Sequence, residues 1–351
     1  MAKTGNYIQS YPELNGNSRK EPENQGLSQE WVVNRKLPTK RLERPRRLPA
    51  PYPKPNEKDF DMTVCIAVIY YNGGVVAVSD KMLSTADATF EPDGDCKKIF
   101  RLFKTIHALN AGHVGLQAEI MQSMVIPLIS IHNQNPQKEF TVVELVDLYV
   151  EHYNHAKRQR INNSIFAQYN LDLDSFLARQ KEFSDIFTRD LMDQVARFQM
   201  PETATIIAGV DKSAGVLEPH IYCIKGGYDI SVECCDAVGY ATIGSGARLA
   251  EAQFMQANFN RHFELPKALF LSYLAKRHAE KAPGVGKETE MFLLGPDPDS
   301  IQNLQSVLDY KKLDEMYNEI VSQTASKTDQ MYVKTIELLL DKVPERPRLF
   351  S

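Results

Sequence analysis

Residues Asp59–Leu83 read DFDMTVCIAVIYYNGGVVAVSDKML, and the interpretation of the chain turns on them. TVCIAVIY is a β-rich apolar run, NGG is turn chemistry, and VVAVSD is a second apolar run. Two such runs joined through Asn-Gly predict an antiparallel hairpin that opens at Thr63 and closes at Asp80. The stretch has the texture of a folded domain's opening hairpin, yet Met62 and a long segment precede it.

That segment differs from everything after it. Residues 1–61 are rich in Asn, Gln, Pro and Arg, and Arg35–Lys54 (RKLPTKRLERPRRLPAPYPK) is a basic, proline-studded run. Such composition buries too little apolar surface to offset its ordering entropy, so residues 1–61 are expected to be disordered. Trp31, the single tryptophan, lies in this arm.

The whole chain has 351 residues and a formal net charge of −4. That balance argues against a nucleic-acid partner for the chain as a whole. No stretch is read as a membrane span, and the polar N-terminus has no apolar signal region. The five cysteines, Cys65, Cys96, Cys223, Cys234 and Cys235, form no CxxC pair and no even framework, which predicts reduced thiols in a cytoplasmic protein.

Beyond the hairpin, KKIFRLF and TIHALNAG predict another strand pair, and VGLQAEIMQSMVIPLISIH predicts a helix opening just after Gly112. A helical stretch follows over about 140–200. Strands return at ETATIIAGVD, PHIYCIKGG and YATIGSG, the last running into the helix ARLAEAQFMQANF. Residues 267–281 read as helix, TEMFLLG as a strand, and the last part of the chain as two amphipathic helices. Antiparallel sheets layered with helices, an α+β class, are the expectation.

Chemistry enters through three residues in order: Thr63 at the start of the first strand, Asp80 at the end of the second, and Lys98 in KKIF. A threonine hydroxyl is a poor nucleophile until a base takes its proton, and a free α-amino group on the same residue is one solution. Its ordinary pKa of about 7.7–8.0 leaves a neutral fraction near physiological pH. A nearby ammonium favours the alkoxide, and an aspartate fixes that ammonium in place. A glycine N–H at a strand-to-helix turn, here Gly112 in NAGHVG, suits a developing oxyanion.

With these residues in that order, Thr63–Gly115 resembles the proteasome β-subunit and its bacterial relatives, the N-terminal-nucleophile (Ntn) hydrolases, in particular bacterial proteasome-like proteins that begin MTVCIA-. The resemblance extends over 62–297. IIAGVDK with PHIYCIKGG matches the family's central strand pair, and YATIGSGARLAEAQF its Gly-Ser-Gly turn into a helix. It implies a four-layer αββα sandwich of two antiparallel sheets, with a helical insertion at about 140–200 and a C-terminal helical appendix over 298–351.

The resemblance also implies a threonine-type peptidase working through a threonyl-ester intermediate. Thr63 is then nucleophile and, through its amine, base; Lys98 sets the electrostatics and Asp80 holds Lys98. Ser245 supports the amine, and Gly112 N–H binds the oxyanion. Lys98 fits better than Lys97 because it directly precedes Ile99, and consecutive strand residues face opposite ways. No metal or organic cofactor is implied. Self-assembly into rings or open spirals of like subunits is implied, with an ATP-dependent unfoldase as a further partner. A catalytically silent assembly subunit and a small-amide amidohydrolase are the alternatives.

Two departures stand out. The family's late Ser-Gly-Gly turn, preceded by an aspartate, is represented only by EKAPGVGK, so Glu280 is left out of the site. The spacing from Thr63 to Asp80 is one residue long, which a hairpin bulge would absorb. A third issue is upstream: with Met62 attached, Thr63 has no free amine. Translation starting at Met62, self-cleavage of a propeptide at Met62-Thr63, and retention of the extension by a silent subunit are the three accounts.

Other motifs carry less. PGVGKE lacks the first glycine and the hydroxyl residue of a phosphate loop. His152 and His155 lie one helical turn apart with no third ligand evident. Cys65 is expected to be a packed thiol, and nothing requires a role for His113.

Overall fold

The computed structural model describes residues 63–71, 73–84, 89–90, 98–213, 216–295, 302–303 and 310–340. The arm of residues 1–61, Met62, Cys96 and Lys97 lie outside the described residues, as do parts of 298–351. Those described belong to one unit, Pro55–Ser351.

The opening hairpin forms as its apolar runs require. Strands β1 (Cys65–Tyr70) and β2 (Gly74–Asp80) pair antiparallel from Cys65↔Ser79 to Tyr70↔Gly74 without a break in register. The expected bulge is absent. Beyond the paired residues, Gly73 takes the left-handed φ of +86° that an L side chain resists. Apart from the half-buried Tyr70, β1 and β2 are buried throughout, which explains their continuous rather than alternating apolar runs.

The fold is α+β. β10 (Tyr240–Ile243), β1, β2, β11 (Thr289–Leu294) and β12 (Gln302–Asn303) form one five-stranded sheet in that order. β5 (Ile99–Phe103), β6 (Ile106–Gly112), β7 (Thr203–Ser213), β8 (Val216–Gly226) and β9 (Ser231–Cys234) form a second. Every pairing in both is antiparallel. A short pair, β3 (Leu83–Ser84) and β4 (Thr89–Phe90), lies apart.

Period-two alternation decides what each sheet face touches. On the first sheet Cys65, Ala67, Ile69, Val75 and Ala77 share a buried cluster with Leu109, Ala111, Ile206, Ala208 and Ile221 of the second. The two sheets therefore pack face to face. The intervening residues Val64, Ile66, Val68, Val76 and Val78 point the other way, onto α5 (Ala247–Gln256) and α6 (Leu265–Ala279). On the second sheet Ala108, Ile207 and Ile224 face α1 (Val114–Gln134) and α2 (Val142–Ile161). The order is helices, sheet, sheet, helices. Burying each Val, Ile or Leu in these layers contributes about 1.5–3 kcal/mol.

Helix α1 is 21 residues long and, by length and composition alone, apolar enough to cross a membrane, contrary to the expectation from sequence. Its Leu116, Ile120, Met124 and Leu128 are buried against the second sheet. The stretch at about 140–200 is helical but broken. After α2 come a π turn at Asn162–Phe166, α3 (Leu173–Ala178) and α4 (Asp185–Ala196). Ile161, Ile165, Phe166, Phe176 and Leu191 give this region a small core of its own.

The two C-terminal helices expected from sequence are one, α7 (Tyr310–Leu340), and Gln302–Asn303 pairs as a strand where helix was expected. SQTASKT, which separates the two predicted pieces, contains neither Gly nor Pro, so nothing interrupts the hydrogen-bond ladder. Leu313, with Tyr310 and Tyr317, attaches the helix to the core beside α6.

Candidate active site

Thr63 stands just before β1, and Asp80 ends the neighbouring β2. Antiparallel pairing returns the chain to its starting end, so residues 17 apart in sequence meet. The Thr63 hydroxyl donates to Asp80 Oδ1 at 2.5 Å. Lys98, one residue ahead of β5 on the facing sheet, donates from Nζ to Thr63 Oγ1 and lies 2.8 Å from Asp80 Oδ1. Asp80 is 0% exposed, Thr63 4% and Lys98 7%, so this contact is shielded from solvent.

Buried charge is tolerated when it is paired and fully hydrogen-bonded. Asp80 meets that condition. Oδ1 also accepts Val64 N–H at 3.0 Å, while Oδ2 accepts Met82 N–H at 3.2 Å and Gly286 N–H at 2.9 Å. The carboxylate is thus locked from both sides and cannot rotate without losing backbone donors.

The backbone of Thr63 is held by the segment Gly244–Gly246. Thr63 N–H donates to Ser245 Oγ at 3.3 Å, and Ser245 Oγ lies 3.3 Å from Thr63 O and 3.2 Å from Pro283 O. Its single proton serves one carbonyl at a time. Gly246 N–H donates to Thr63 O at 3.1 Å. Gly244 has φ +91°, and a Cβ there would overlap the Thr63 carbonyl, so glycine is needed on both counts.

Gly112 ends β6 at φ +109°. Amide directions alternate along a strand. Asn110 N–H donates to Lys98 O at 3.1 Å, and His113 N–H donates the opposite way to Glu202 O at 3.1 Å. The Gly112 amide is therefore directed to the side of β6 on which Lys98 lies. Thr63, Asp80, Lys98 and Ser245 form one hydrogen-bonded group, with Gly112 on the adjoining strand end.

The chain matches no protein-family model and no curated protein.

Of the remaining sequence candidates, Cys65 adjoins this group, and His113 and His155 lie outside it. Cys65 is fully buried, its Sγ donates to Asn110 O at 3.4 Å, and burial pushes its thiol up to about 12. A thiol so held is a packing group. His113 caps α1, accepting Leu116 N–H at Nδ1 at 3.0 Å. The His155 ring bonds Gln159 on its own helix. Among the described residues, no group of three or more His, Cys, Asp or Glu side chains is placed to hold a metal ion.

The residues that sequence reasoning passed over belong to EKAPGVGK. The turn contributes Gly286 N–H to Asp80 and the Pro283 carbonyl to Ser245. At its root, Lys276 bonds Glu280 Oε1 at 2.6 Å, and Arg277 reaches the same carboxylate at 3.1 Å. Backbone groups carry no residue-type signature. The signal that could have found them is position: the turn leads into β11, whose first residue pairs with Asp80.

A threonine hydroxyl bound at once to an ammonium and a carboxylate, out of water, is a polarised oxygen at the end of a rigid sheet. Such a group can attack an electrophilic carbon if a base nearby accepts its proton.

Proposed function

We propose that the chain has the Ntn-hydrolase fold, a four-layer αββα sandwich, and is a threonine-nucleophile amide hydrolase whose substrates are peptides. The observation that carries this reading is the Thr63 hydroxyl, bound simultaneously to Lys98 and Asp80 at the end of the first strand. The active form is one in which Thr63 is N-terminal.

In that form the amine of Thr63 lies beside Ser245 and takes the hydroxyl proton as Oγ1 bonds the substrate carbonyl carbon. Lys98 stabilises negative charge on Oγ1, and Asp80 holds Lys98 in place. The carbonyl oxygen becomes an oxyanion facing the Gly112 N–H. Collapse breaks the C–N bond, the leaving amine takes the proton from the Thr63 ammonium, and a threonyl ester remains. Water then attacks the ester carbonyl and gives a proton to the Thr63 amine, which passes it to Oγ1 as the acyl C–O bond breaks and the carboxylic acid leaves. Assembly into rings or spirals, with an unfoldase delivering polypeptide, fits the same reading.

A second reading has an observation of its own: in the full-length sequence Met62 acylates the Thr63 nitrogen, leaving no base of this kind. Such a chain would use the fold for packing alone. Intact mass of natively produced protein, followed by reaction with an epoxyketone or β-lactone, separates the two. A mass beginning at Thr63 and one adduct on that residue are expected. Processed protein without an adduct would leave the scaffold reading, and an adduct confined to small-amide probes would favour the amidohydrolase.

A further inference from the structure

Lys276 is a lysine buried to 0% exposure, one helical turn from the C-terminus of α6, beside the apolar cluster that this helix packs into. Burying an ammonium costs several kcal/mol. A methionine would fill the same space at no such cost, so the charge calls for an explanation. Its Nζ donates to Glu280 Oε1 at 2.6 Å and to the main-chain oxygen of Lys287 at 2.5 Å. Burial lowers its pKa, and the Glu280 charge, with the more distant Asp80, opposes that shift.

The second of those bonds reaches the turn that touches the Thr63 site. Gly286, the residue before Lys287, donates its N–H to Asp80 Oδ2, and Pro283 accepts from Ser245. Both of these bonds use backbone atoms of the turn. Backbone donors are useful only if the segment that carries them is anchored. Val285 packs against the core, and Gly246 closes on it so tightly that a Cβ would meet Val285 at 3.0 Å. Lys276 supplies the polar tie next to Gly286, and Glu280, held also by Arg277, keeps the ammonium in place.

We propose that Lys276 is a positioning residue for the Thr63 site: it fastens the Pro283–Lys287 turn to α6 and thereby sets the Gly286 amide against Asp80. The assignment rests on the reading of Thr63 as a nucleophile. It gives the EKAPGVGK turn, which has no serine, a charge-based anchor.

The test compares Lys276→Met with the double variant Lys276→Met, Glu280→Leu, which removes the buried charge pair without leaving one partner unpaired. Two readouts are taken. Epoxyketone labelling and peptide turnover are followed in protein beginning at Thr63, and amide hydrogen exchange of residues 283–288 is followed in the full chain. Positioning predicts labelling slowed about 10- to 100-fold in both variants, with kcat falling and KM little changed. Exchange at Gly286 becomes about 10-fold faster in both, although the double variant melts near the wild-type temperature. Recovery of labelling along with melting temperature in the double variant would mean bulk stability alone and overturn the proposal, as would unchanged exchange at Gly286. Should wild type fail to label while exchange responds as expected, the anchoring stands and the hydrolase reading falls.

Discussion

Lys98 Nζ and Asp80 Oδ1 lie 2.8 Å apart, one from each sheet, at a point shielded from solvent, and both hydrogen-bond the Thr63 hydroxyl. The pair links the two sheets electrostatically at the end where the site lies. Asp80→Asn leaves the Lys98 ammonium buried without its counter-charge, a loss of about 3–5 kcal/mol and a drop in melting temperature on the order of 10 °C. Replacing both, Asp80→Leu with Lys98→Met, recovers much of that stability but no activity. Calorimetry alongside a peptide-hydrolysis assay checks both halves.

Thr63→Ala separates chemistry from stability. Lys98 and Asp80 keep each other, so stability changes by about 1 kcal/mol. Turnover falls by more than about 10⁴-fold because no other hydroxyl among the described residues bonds both. Thr63→Ser keeps measurable turnover. Equal activity in the Ala and wild-type proteins would remove Thr63 from the mechanism.

Gly244→Ala attacks the same site through the backbone. Its φ of +91° and the overlap of any Cβ with the Thr63 carbonyl mean that the segment must shift. The strain costs about 1–3 kcal/mol and displaces Ser245 from the Thr63 nitrogen. Adduct formation should slow even at temperatures where the fold is intact by circular dichroism.

His220 makes stability depend on pH. Its Nδ1 lies 2.6 Å from Asp236 Oδ2, with Asp211 and Glu218 beyond Nε2. The Asp236 bond raises its pKa above the ordinary value, against partial desolvation. A raised folded-state value stabilises fully below the unfolded pKa of about 6.5, and that contribution is lost as pH rises through the folded value. Melting temperature should therefore fall as pH climbs above ~6.5, and His220→Gln should flatten that limb.

Helix α7 divides into an anchored and an exposed part. Leu313 is buried in the core, whereas residues 318–332 are exposed. A chain ending at 322 should keep the domain's melting temperature within about 3 °C, while Leu313→Ala should cost about 2–5 kcal/mol. Thermal unfolding of the two proteins distinguishes the segments.

Much of this was legible because local physics is written in residue types. Runs such as TVCIAVIY and TEMFLLG are strands wherever turns bound them, and β1, β2 and β11 formed where those runs lie. Thr63, Asp80 and Lys98 could be nominated by residue type and order and Gly112 by its place at a strand-to-helix turn, whereas Ser245 was named only through the family resemblance. What stayed hidden involves backbone or shape. The Gly286 amide, the Pro283 carbonyl and the Lys287 oxygen look like any others in a sequence, and Lys276 reads as one more exposed helix lysine. The bulge expected between Thr63 and Asp80 is absent because register depends on both strands and the turn together. The single α7 was read as two because polar residues in SQTASKT break an apolar pattern without breaking a helix.

From its residues alone, the chain determined that an Asn-Gly hairpin would bring its two ends together, and that antiparallel sheets would be layered with helices. Period and turn chemistry act over a few residues, so they survive in one dimension. Only tertiary structure decided that Lys98 crosses from the second sheet to Asp80, and that a turn some two hundred residues later (206 for Gly286) completes the carboxylate's shell. Those contacts join distant segments through backbone amides and a buried ammonium, and their existence depends on how the layers pack.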